Sequence, residues 1–70
     1  MSAMVTVAEY GTENWKSLLK WGIENHVLTP VDISFVKTAI AMEQGKFPSE
    51  KQCIKIMQIL EKARTESYPG

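Results

Sequence analysis

Apolar residues recur at helical spacing through most of this chain. Trp15, Leu18, Leu19, Gly22 and Ile23 fall at offsets of 0, 3, 4, 7 and 8, which is one stripe of a helix, with Trp21 beside it. Thr12 or Asn14 suits the N-cap and Glu13 the first turn, so this helix is expected to run to Asn25 or His26. In the next segment Thr29 is an N-cap, Pro30 stands at N1 and Asp32 at N3, a capping box with Asp in place of the usual Glu or Gln. Leu28 and Ile33 are placed to form a hydrophobic staple, and the helix is expected to reach Gln44, with Gly45 as the C′ residue. Ile33, Val36, Ala39 and Ile40 share one face while Phe35 and Met42 point away from it, the pattern of a middle helix that touches both neighbours. A second capping box, Ser49 to Gln52, opens the last helix. Its stripe is Cys53, Ile56, Met57, Leu60 and Ala63, with Lys51, Lys55, Gln58 and Lys62 opposite.

Residues 1–11 read differently. Val5 and Val7 alternate with Thr6 and Ala8 up to Gly11, at most one short strand with no partner inside the chain. This segment is expected to be a loose arm, or a strand added to the sheet edge of a partner. The expected fold is therefore all-α: a compact three-helix domain over residues 12–66, with a flexible or short extended N-terminal arm over 1–11 and a tail over 67–70.

Composition narrows the function classes. Seventy residues allow one domain, and a core of that size often relies on a disulfide, a metal or a partner surface. One cysteine cannot form an internal disulfide. Eight basic and eight acidic residues give no bulk attraction to nucleic acid, and no apolar run is long enough to span a membrane. Met1–Tyr10 lacks the basic and apolar regions of a signal peptide, and a single unpaired cysteine suits a reducing compartment, so a cytoplasmic location is expected.

Candidate chemistry is sparse. His26 and Cys53 are the only residues of their kinds, and a nucleophilic pair would need both. His26 suits the end of the first helix, and Cys53 lies on the most apolar face of the last one, where a thiol acts as a small hydrophobe. They fall short of the four ligands of a zinc site, the glycines form no phosphate-cradling loop, and so short a chain leaves few walls for a cleft. No catalytic residue, cofactor, metal or small-molecule substrate is expected.

The aromatic residues are more suggestive. Trp15 and Trp21 do not both fit easily into so small a core, and tryptophan is enriched among interface hot spots. Trp21, Trp15 and Phe35 are the expected contact residues for a protein partner or a second copy; the alternative is that both tryptophans seal one end of the bundle. The other function class is nucleic-acid binding through Lys51, Lys55 and Lys62. A helix-turn-helix fits poorly, because Phe47-Pro48 lengthens the turn and Lys51 stands where that motif wants an apolar residue.

The run Trp15-x-x-Leu18-Leu19-x-Trp21, then Leu28-Thr29-Pro30-x-Asp32-Ile33, Pro48-Ser49-Glu50-Lys51-Gln52 and Ile59-Leu60-Glu61-Lys62-Ala63-Arg64, resembles a short helical segment at the ends of bacterial phage-defence proteins of the abortive-infection phage-resistance group, and of mobile-element proteins. The resemblance spans residues 15–64, rests mostly on caps and core positions, and implies an accessory module in a nucleic-acid-related system. The expected function is a non-catalytic helical interaction module.

Overall fold

The structure is a computed structural model that describes residues 2–70. It is all-helical, with four α-helices: α1 (Ala3–Tyr10), α2 (Thr12–Glu24), α3 (Pro30–Ile40) and α4 (Glu50–Thr65), with a 3₁₀ turn at Ala41–Gln44. Both expected capping boxes are formed. The Asp32 amide donates to Thr29 Oγ1 and the Thr29 amide to Asp32 Oδ2, each at 3.1 Å. The Gln52 amide donates to Ser49 Oγ at 3.2 Å and the Ser49 amide to Gln52 Oε1 at 2.8 Å. α3 is the middle element and packs on both α2 and α4.

The expected N-terminal arm is instead helix α1; Met1 lies outside the described residues. Ala3, Met4, Val7 and Tyr10 form its inner face, and Val7 is fully buried in the core. The N-cap residue Ser2 makes no side-chain cap. Its place is taken by Glu50 at the start of α4, whose carboxylate accepts from Ser2 Oγ at 2.8 Å, the Ala3 amide at 2.8 Å and the Met4 amide at 3.1 Å. A carboxylate there suits the positive end of the helix dipole. α2 likewise begins after Gly11 rather than with a capping Thr12 or Asn14. Gly11 turns the corner between α1 and α2 at φ 91°, a value that favours glycine, and Asn14 Nδ2 closes the end of α1 by donating to the Tyr10 carbonyl at 2.6 Å.

Three helical ends use one device. A Schellman motif pairs the C″ amide with the C3 carbonyl and the C′ amide with the C2 carbonyl. Val27 to Gly22 and His26 to Ile23 make it after α2, at 2.9 and 3.3 Å. Lys46 to Ala41 and Gly45 to Met42 make it after the 3₁₀ turn, at 3.3 and 3.0 Å. Tyr68 to Ala63 and Ser67 to Arg64 make it after α4, at 3.0 and 3.1 Å. The C′ residues all have positive φ: His26 56°, Gly45 81° and Ser67 77°. The last motif folds Tyr68 back, so the expected tail is partly structural: the Tyr68 ring lies 5.0 Å from that of Trp21.

Candidate functional site

The residues expected to carry contacts are placed mainly by the fold. Trp15 is 1% exposed, and its Nε1–H donates to the Val7 carbonyl at 2.9 Å. That bond fastens α2 to α1, with Tyr10 edge-on at 4.6 Å. Trp15 is thus a core residue and offers no outer surface, because α1 supplies the wall that a three-helix reading lacks. Trp21 is half-buried beneath Tyr68, and Phe35 is half-buried on the flank of α3. Each keeps only part of its ring in solvent.

The basic face of α4 is divided in the same way. Lys62 Nζ lies 2.7 Å from Asp32 Oδ2, an ion pair that ties α4 to the capping box of α3. Asp32 is 6% exposed. Burial pushes its carboxyl up, but the hydrogen bonds from Lys62 and Thr29 outweigh this and hold it below the ordinary 3.8. Lys62 therefore serves the fold, while Lys51 and Lys55 stay exposed and outside the ion pairs. Cys53 is buried, and burial raises its thiol pKa. Its sulfur lies 3.9 Å from the Pro48 carbonyl, while His26 is exposed at the end of α2, and no hydrogen bond among the described residues joins the two. Among the described residues no group of three or more His, Cys, Asp or Glu is placed to hold a metal ion, and no helix is long and apolar enough to cross a membrane.

The exposed large apolar side chains among the described residues are Val5, Ile23, Val31, Phe47 and Ile54, and two of them border clefts. Phe47 is 65% exposed on the linker before α4, next to the buried Pro48. It borders a cleft of about 570 Å³, whose lining includes Ile33 and Ala41 from the α3 side and the cations Lys37 and Lys46, neither of them in an ion pair among the described residues. A second cleft, of about 620 Å³, runs between α1 and α4. Its floor is Ala3, Ile54 and Met57, and its charged lining is Glu50 and Glu61. Ile54 is 48% exposed there. The sequence gives little warning of either surface. Phe47 stands in a linker where no periodicity applies, and the second cleft needs α1 as a wall.

Compared with known families, curated proteins and solved structures, the chain matches none of them.

Proposed function

We propose that this chain is a non-catalytic helical module whose role is to bind a protein surface. The exposure of Phe47 on an anchored linker carries the reading. The folded core uses Trp15, Val7 and Ile56 to near-complete burial, and among the described residues no buried side-chain nitrogen or oxygen lacks a hydrogen-bond partner. A phenylalanine left two-thirds in solvent adds little to such a core, whereas covering the rest of it on a partner is worth about 1–2 kcal/mol. Ile54 in the α1–α4 cleft is a second anchor of the same kind. Trp21 and Phe35, half-covered by their own chain, serve at most as margins of the contact area. Nucleic-acid binding through α4 takes second place, since one of its three lysines is committed to Asp32.

A photo-crosslinking amino acid at position 47 or 54, in extract from the source cells, tests this reading. Discrete protein adducts from those positions, absent from the exposed position 24 on α2, are expected. Adducts that are equal at all three positions, or absent from all, overturn it.

A further inference from the structure

The Phe47 segment and the α1–α4 cleft lie on different sides of α4. Gln52 lines the first cleft and Ile54 the second, and two residues along a helix are separated by about 200°. Their chemistry is complementary. One side presents an exposed aromatic ring preceded by the unpaired Lys46. The other presents an apolar floor bordered by Glu50 and Glu61. Locally, then, the plug carries a cation and the socket two carboxylates. The plug is also preformed: the adjacent Pro48 is buried, and a proline biases the residue before it to extended backbone, which lowers the ordering cost of docking.

Resting on the interaction-module reading, we propose that the occupant of the α1–α4 cleft is a second copy of this chain. Phe47 of one copy enters over Ala3, Ile54 and Met57 of the next, and Lys46 faces Glu50 and Glu61. Glu50 keeps its bonds to α1 in this arrangement and contributes its charge. Glu61, held only by an exposed pair with Arg64 at 3.3 Å, is free to exchange partners. Because plug and socket face nearly opposite ways on α4, two copies cannot engage both pairs at once, and each added copy leaves one of each unused. Association is therefore head to tail and does not close at two copies, unlike a two-fold dimer.

Sedimentation velocity of the full chain over an about hundredfold concentration range tests this. The average sedimentation coefficient is expected to rise with concentration, and to rise less at high salt, which screens the Lys–Glu contacts. Phe47→Ala and Ile54→Lys, both at exposed positions, each abolish the rise, and circular dichroism checks that each variant is folded. Mixed together, the two variants associate again but stop at a heterodimer, since only one intact plug and one intact socket remain. A wild-type chain that stays monomeric throughout overturns the proposal, as does association that survives either substitution or that mixing fails to restore. A monomeric chain that still gives specific adducts to another protein from position 47 or 54 removes the second copy as occupant and leaves the interaction reading standing. A monomeric chain without such adducts removes both.

Discussion

The Glu50 carboxylate accepts the backbone N–H of Ala3 at 2.8 Å, so the first residue of α4 caps the first residue of α1 across 47 positions of sequence. The bonds from Ala3, Ser2 and Met4 hold the carboxyl of Glu50 below its ordinary 4.5. A carboxyl depressed in the folded state contributes its stabilisation above the unfolded value and loses it as pH falls through the folded one. The cap is thus complete above about pH 4.5 and fades below it. In Glu50→Ala, hydrogen-exchange protection in α1 should collapse while the cores of α2, α3 and α4 keep theirs. In the wild type the same selective loss should appear on acidification. Equal protection of α1 in both proteins would show that packing alone holds this helix.

The ion pair between Lys62 and Asp32 makes a second acid-sensitive joint. Removing the lysine leaves a buried carboxylate with only its Thr29 partners. Lys62→Met should cost about 1 kcal/mol, a modest figure because the ammonium is partly solvated. It should also raise the pKa of Asp32. The wild-type carboxyl lies below 3.8, so its contribution is present above that value and disappears as pH falls through the lower folded one. Urea unfolding at several pH values should show the two proteins converging in acid. A constant difference down to the lowest pH would mean that Lys62 acts through packing of its stem.

His26 and Ser67 occupy the left-handed C′ position that Gly45 fills in the middle motif. A side chain there costs roughly 1 kcal/mol, which glycine avoids. His26→Gly and Ser67→Gly should each stabilise the chain by about 0.5 kcal/mol, after allowing for the greater freedom of glycine in the unfolded state. His26→Val should destabilise it, since a β-branched residue tolerates positive φ worst. Chemical denaturation midpoints decide the matter, and a His26→Gly variant no more stable than wild type would place the cost elsewhere.

Much of this fold is legible because its signals are local. Thr29 with Asp32, and Ser49 with Gln52, are pairs three residues apart, and the stripe from Cys53 to Ala63 lies within one element. α1 is hidden for the opposite reason. Its cap is Glu50, far along the chain, and Val5, Thr6 and Val7 have the β-branched side chains that suit a strand. Tertiary packing of Val7 beneath Trp15 overrides that preference. The misplacement of Trp15 follows directly: without α1 there is no Val7 carbonyl for its indole N–H and no wall for its ring. Phe47 enters the sequence reading only as part of a lengthened turn, and Ile54 only as widening the stripe of α4, because exposure is a property of the assembled surface and neither residue breaks a local rule.

Gly22 separates intrinsic helix preference from close packing. It lies within α2, where alanine normally stabilises by about 1 kcal/mol. Here Leu28 folds back across the helix, and a Cβ on residue 22 would overlap its side chain. Leu28 is itself a buried core residue, at the end of a short loop tied to the Gly22 carbonyl by the Val27 amide at 2.9 Å. Its room to retreat is small, so Gly22→Ala should cost a net 1–3 kcal/mol, roughly the range for overpacking. The diagnostic result is a double-variant cycle. Leu28→Ala alone opens a cavity and destabilises, yet combined with Gly22→Ala it removes the overlap, so the loss in the double variant should fall short of the sum of the two single losses by about 1 kcal/mol or more. Simple additivity in urea denaturation would mean that Leu28 moves aside freely and that the approach of the loop to α2 places no demand on residue 22.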